Sequence, residues 1–150
     1  MSIRKKMTPS SREAWIGYSL KNVQHRLRQR LEAELARTGV SASQNAALLA
    51  IGDNPRISNA SLARAAFVAP QSMQEMLVTL ERDGFIVRTP HPEHGRIVMT
   101  ELTKKGRSVA QAGMVAAETV ERQMLSGLTD DEANLLRGLL QRCADALEAD

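Results

Sequence analysis

Ser58-Asn59-Ala60-Ser61-Leu62-Ala63-Arg64-Ala65-Ala66-Phe67-Val68-Ala69-Pro70-Gln71-Ser72-Met73-Gln74-Glu75-Met76-Leu77-Val78-Thr79-Leu80-Glu81-Arg82-Asp83-Gly84 is the stretch that decides the fold. Ser58 suits a helix cap, and Ile57 before it can pack on Leu62 as a hydrophobic staple. Leu62, Ala63 and Ala66 give that helix a narrow apolar stripe. Pro70 suits the first turn of a second helix, where its missing N–H would be unbonded anyway. Met73, Met76, Leu77 and Leu80 recur at three- and four-residue steps and define a buried face. The other face carries Gln71, Ser72, Gln74, Glu75, Thr79 and Arg82. Gly84 stops the helix at the position after its cap. Two β-type runs follow, Phe85 to Thr89 and Arg96 to Leu102, around Pro90-His91-Pro92-Glu93-His94-Gly95. Helix, tight turn, helix and hairpin make the order of a winged helix-turn-helix.

That geometry has a use. A short helix projected by a turn, opening with small and amide side chains, fits the major groove of B-DNA. Gln and Ser reach base edges there while the first helix braces the backbone. The other reading of the same pattern is a helical pair inside a globular core, and the hairpin in the right place argues against it.

Outward from this segment, helices flank it on both sides. Ser10-Ser11-Arg12-Glu13 has the capping-box pattern, and Ile16, Leu20, Val23, Leu27, Leu31 and Leu35 keep one face apolar until Thr38-Gly39. A helix over 10–38 would be about 40 Å long at 1.5 Å per residue. That exceeds the ~13 Å radius of gyration of a compact 100-residue domain, so it is expected to pack on a partner chain. Residues 1–9 read as a basic arm. Ser41-Ala42-Ser43-Gln44 is a second capping box, opening a helix that Gly52-Asp53-Asn54-Pro55 breaks. Thr103 caps another long helix running to about Leu125, and Thr129-Asp130-Asp131-Glu132 is a third capping box. The last helix is expected to bury Leu136, Leu139, Leu140, Cys143 and Leu147.

Composition narrows the class. The 150 residues are 43% apolar but include only two Phe, one Tyr and one Trp, so Ala, Leu, Val and Met must supply the core. A lone cysteine excludes an internal disulfide and suits a reducing, cytoplasmic compartment. The basic start has no apolar stretch of a signal peptide, and no run is long enough to span a membrane. The net charge of +3 is unevenly spread. Residues 1–40 hold nine basic and three acidic side chains, 41–107 hold eight and six, and 108–150 hold three and eight. One end suits a polyanion and the other does not. No phosphate loop, nucleophile elbow or triad gives catalysis a foothold, so no enzyme is expected. No cofactor is implied.

With the flanking helices in place, the sequence resembles the MarR family of bacterial transcriptional regulators over about residues 10–148. The matching residues are Leu62-Ala63-Arg64, Pro70-Gln71-Ser72-Met73, Leu80-Glu81-Arg82-Asp83-Gly84-Phe85-Ile86, Arg96, and Leu102-Thr103-Lys104-Lys105-Gly106. The resemblance implies a mainly α (α+β) fold, a winged helix-turn-helix flanked by long N- and C-terminal dimerisation helices. The chain then divides into an N-terminal dimerisation helix over 10–38, a winged lobe over 41–102 and C-terminal dimerisation helices over 103–150. It also implies a homodimer on a near-palindromic operator in double-stranded DNA, and repression relieved by a small phenolic or other aromatic acid, or by thiol oxidation. Three positions depart from the family pattern. His94 stands where an Asp usually precedes the wing-tip Arg, Glu75 where an Arg is common, and Ala69 where Ser or Thr caps the reading helix.

Candidate residues follow. Gln71, Ser72, Gln74 and Glu75 would face base edges, with His94 and Arg96 at the wing tip. A guanidinium at a hairpin tip suits a narrow, electronegative minor groove. Arg88, Lys104 and Lys105 would meet phosphates, or be ordinary surface. Trp15, Tyr18, Asn22 and His25 lie along the first helix, in the region where the family binds effectors. An aromatic wall with a few polar groups suits a planar ligand, and dimer packing would use the same residues. His91, Glu93 and His94 form a cluster for which a DNA-facing or solvated tip is expected, with no metal. Cys143, on an apolar stripe without basic neighbours, is expected to be an inert core thiol. The competing function is a winged-helix protein-interaction module that does not read DNA.

Overall fold

The computed structural model describes residues 11–148. Residues 1–9 and Ser10 of the first capping box lie outside that range. The elements are α1 (Ile16–Leu35), α2 (Ala42–Asp53), α3 (Asn59–Ala65), α4 (Pro70–Arg82), β1 (Ile86–Pro90), β2 (Val98–Leu102), α5 (Lys104–Met124) and α6 (Asp130–Glu148). The expected mainly α, winged helix-turn-helix order is therefore observed.

The lobe from α2 to β2 follows its local signals closely. Ser41 Oγ accepts from the Gln44 N–H while Gln44 Oε1 accepts from the Ser41 N–H, completing a capping box. Ser58 Oγ accepts from the Ser61 N–H. At the end of α4, the Phe85 N–H bonds the Leu80 carbonyl and the Gly84 N–H bonds that of Glu81. This closure needs a left-handed residue, and Gly84 has φ +79°. The stripes of α2, α3 and α4 meet in one core of Ala47, Leu48, Ile51, Leu62, Ala63, Met73, Leu77 and Leu80, closed by Phe85 and Ile86. Strands β1 and β2 pair antiparallel with Ile86 opposite Leu102 and Pro90 opposite Val98. The Thr100 N–H reaches the Pro55 carbonyl at 3.0 Å, anchoring the hairpin to the α2–α3 connection.

Helix α5 is fastened to this lobe at its first turn. Thr103 Oγ1 accepts from the Gly106 N–H and donates to the Gly84 carbonyl at 2.6 Å. Lys105 Nζ donates to the Asp83 carbonyl and lies 4.6 Å from the Phe85 ring centre. Gly106 permits the approach, since a Cβ there would stand 1.9 Å from the Phe85 carbonyl oxygen. Further along, Gly113 faces the buried Asn45 of α2, and α5 packs along α1.

Four sequence expectations are corrected. Helix α1 begins at Ile16, not residue 10: a single 3₁₀ turn, Arg12–Ala14, precedes it, Trp15 stands at its N-cap without a side-chain cap bond, and Ser10, the cap of the expected box, lies outside the described residues. The helix starts at Ile16, the first residue of the expected apolar stripe. It ends at Leu35, whose carbonyl is taken by the Thr38 hydroxyl at 2.6 Å. Second, α2 continues through Gly52 and Asp53, since only Pro55, two residues past the end, forbids further helix. Third, β2 starts at Val98 because 91–97 form a separate tip turn. Fourth, α6 buries none of its residues within the chain: Leu136, Leu139, Leu140 and Leu147 are exposed, and so is Cys143. The expected stripe exists, but among the described residues no element of the same chain covers it.

Candidate nucleic-acid interface and effector groove

The polar face predicted for α4 is the exposed one. Gln71, Ser72, Gln74, Glu75 and Arg82 are all exposed, while Met73, Leu77 and Leu80 point into the core. Val78 joins the outer face at 52% exposure, an apolar contact that the periodicity of α4 did not single out. Ala69 makes no side-chain cap bond, as its methyl dictates. The first intrahelical bond runs from the Met73 N–H to the Ala69 carbonyl, so the N–H groups of Gln71 and Ser72 have no intrahelical acceptor. A 13-residue helix thus presents two free donors and the positive end of its dipole beside the polar face.

What holds α4 in place is Asn59, at the start of α3. Its Nδ2 donates to the Pro70 carbonyl at 3.2 Å, tying the first turns of α3 and α4 together. Its buried Oδ1 has no hydrogen-bond partner among the described residues. The turn between the helices puts Phe67 at φ +54° with its ring 96% exposed. A left-handed non-glycine costs about 1–2 kcal/mol, so this position is held by the bonds on either side. They run from the Phe67 N–H to Arg64 and from the Val68 N–H to Ala63.

The basic candidates divide. Arg96, His94 and Lys104 are exposed, and among the described residues their side chains make no hydrogen bond or ion pair. Arg88 is instead turned onto Glu81 of α4 through its Nε, and its side chain is only 24% exposed. Lys105 is committed to Asp83 and Phe85. Both therefore brace the reading helix against the wing and α5. Arg82 pairs with Asp83 at 3.1 Å, which leaves Glu75 without a basic partner among the described residues.

At the wing tip His91 departs from expectation. It is buried rather than solvated, because its Nδ1 turns inward to accept the N–H groups of Glu93 and His94. Among the described residues no cluster of His, Cys, Asp and Glu is arranged to hold a metal ion.

Trp15, at the N-cap of α1, and Tyr18, Asn22 and His25 on the helix are all exposed. Asn22 Oδ1 accepts from Arg26 Nε at 3.0 Å. None of the four lines the groove that α1 forms with α5. That groove has a volume of about 430 Å³ and is lined by Val23, Arg26, Leu27, Arg30, Val120 and Met124, with Gln29 and Gln123 at its edge. Arg30 Nε donates to Gln123 Oε1 across it at 3.2 Å. Val23 and Leu27 lie on the face that the sequence marked as apolar, whereas Arg26 and Arg30 were not singled out, since only the placement of α5 brings them to a groove. Among the described residues no helix is long and apolar enough to cross a membrane.

Comparison with known proteins agrees with this architecture. The model of the MarR family matches residues 38–97, the end of the α1–α2 connection through the wing tip. The HTH-type transcriptional repressor Rv2887 of Mycobacterium tuberculosis is 29% identical over 130 residues, covering 87% of this chain and 94% of that protein. Its crystal structure with salicylic acid superposes with a TM-score of 0.71 over 87% of this chain and 96% of that one, at 29% identity. Its complex with DNA superposes at 0.68, with 28% identity over 87% and 98%. The uncharacterized HTH-type transcriptional regulator ML2140 of Mycobacterium leprae is 30% identical over 112 residues, spanning 75% of this chain and 78% of that regulator. With the winged lobe, the flanking helices and these relatives in agreement, the chain belongs to the MarR family of transcriptional regulators.

Proposed function

We propose that this protein is a homodimeric, sequence-specific DNA-binding repressor, released from a near-palindromic operator by a small aromatic acid. The observation that carries the reading is α4 itself: a short helix with a wholly polar, exposed opening and two unbonded N–H groups. Gln71, Ser72, Gln74 and Glu75 address base edges in the major groove, and the free N–H donors take a backbone phosphate. Val78 meets a thymine methyl. Arg96, with His94 beside it, enters the flanking minor groove, and Lys104 meets a phosphate. The exposed leucines of α6 cover one another across a two-fold axis, with residues 103–150 and α1 forming the dimer body. The protein works without catalysis in the cytoplasm.

For the effector, the solved complex of Rv2887 with salicylic acid supplies the ligand class. Two sites on α1 compete: the exposed Trp15, Tyr18, Asn22 and His25, and the α1–α5 groove, whose Arg26 and Arg30 suit a carboxylate. The deciding experiment is selection of bound DNA from a random pool, repeated with salicylate present. A near-palindromic motif that salicylate or a related acid disperses is the expected result. A pool without consensus, bound with a steep salt dependence only, would leave phosphate contacts without base reading.

A further inference from the structure

The wing tip, 91–97, contains one buried side chain, and it is an imidazole. His91 is 6% exposed, whereas Pro92 to Ile97 are all exposed. Its Nδ1 accepts from the N–H of Glu93 at 3.1 Å and that of His94 at 3.2 Å. Its own N–H donates to the Ile97 carbonyl at 2.7 Å, and the Ile97 N–H returns to the His94 carbonyl at 2.9 Å. No other side chain of the tip makes a hydrogen bond among the described residues. Arg96 sits inside the loop that these bonds close.

We propose that His91 is the positioning residue of the wing: its neutral imidazole holds the turn that presents Arg96, so wing-dependent DNA recognition is lost when that imidazole is protonated. The inference rests on the reading above, in which Arg96 contacts DNA. Nδ1 is bonded to Cγ, as Oδ1 is in asparagine, so the ring imitates the turn in which an Asx oxygen accepts N–H groups two and three residues on. An Nδ1 that accepts carries no proton, which places the hydrogen on Nε2. Protonation would aim a third N–H at two others and leave a buried cation without an acceptor. The titratable or charged side chains of the tip are Glu93, His94 and Arg96, with the His94 ring 5.2 Å from that of His91. Arg88, on β1, is turned away to Glu81, and among the described residues no ion pair joins the tip to another element. His91 steadies the loop from the end opposite Arg96.

The test has two parts. First, nitrogen-15 NMR of the free dimer reads the tautomer of His91 and follows the Glu93 and His94 amides between about pH 7.5 and pH 5.5, where histidines take up protons. The Nε2–H form at high pH, with both amides moving as that ring titrates, is expected. An Nδ1–H form, or amides indifferent to the ring, overturns the proposal even if no variant folds. Second, the ratio of affinities for selected operator and unrelated DNA is measured at both pH values, because added positive charge alone strengthens both. For the native protein the ratio should fall about tenfold at low pH, the scale of one or two charge-assisted contacts. His91→Asn, whose oxygen accepts but does not titrate, should keep the high-pH ratio at both. A His91→Asn protein that loses as much as the native one overturns the proposal. An Arg96→Ala protein with an unchanged ratio would overturn the wing contact itself, whereas the NMR readouts report on His91 separately.

Discussion

Helices α4 and α6 carry similar apolar stripes and have opposite fates. Helix α4 buries Met73, Leu77 and Leu80 within its own lobe, whereas α6 leaves Leu135, Leu136, Leu139 and Leu140 in solvent. The difference is one of neighbours. Helices α2 and α3, the α4–β1 junction and the hairpin arrive within about forty residues to cover the stripe of α4, and among the described residues nothing arrives to cover α6. A periodic stripe states that a surface will be buried, and the rest of the chain decides whether the cover is internal.

The largest test of this contrast is to charge the uncovered stripe. Leu136→Asp with Leu140→Asp should convert the protein from dimer to monomer in sedimentation velocity. Operator affinity should fall by about 10²–10⁴, the range lost when two half-sites are no longer linked. A dimer of native affinity would show that α6 faces solvent in the assembly too. Next, Leu77→Ala removes a covered side chain of α4 and should cost about 2–5 kcal/mol in urea unfolding, with the dimer intact. If it dissociated the dimer instead, the lobe would not be the separate core described. Gly106→Ala probes the joint between the two regions. Its methyl meets the Phe85 carbonyl, so a loss of about 1–3 kcal/mol is expected, as in overpacked sites. The smallest effects come from caps, with one in each region. Ser58→Ala and Thr129→Ala should each cost about 1 kcal/mol by thermal unfolding. A clearly smaller loss at Thr129 would mark α6 as held by its partner chain rather than by its own first turn.

The same contrast explains what the sequence made legible. Ser41, Ser58, Thr103 and Gly84 act over three or four residues, so their roles could be read directly. The outer face of α4 followed from its inner one. Among what was not legible are pairings made across distance. Arg88 with Glu81 and Lys105 with Asp83 join separate elements, and no local pattern announces that these cations are already engaged. His91 looked solvated because its loop is polar, and only the coordinates reveal a ring folded under the backbone. The groove residues Arg26 and Arg30 became visible only once α5 was laid along α1.

The fastening of α5 to the end of α4 has a mechanical consequence. Lys105, Thr103 and Gly106 tie the first turn of α5 to Asp83, Gly84 and Phe85, while the far end of α5 lies beside the α1 groove. In the proposed repressor this fastening makes α5 a lever arm. At 1.5 Å per residue it is about 31 Å long, so a tilt of about 5° imposed at the groove sweeps its first turn through roughly 2.7 Å. In a two-fold dimer the two sweeps add in opposite directions, and the distance between reading helices changes by roughly 5 Å for arms of that length. Spacing of half-sites on the duplex, rather than the chemistry of any single base contact, is what such a hinge would adjust.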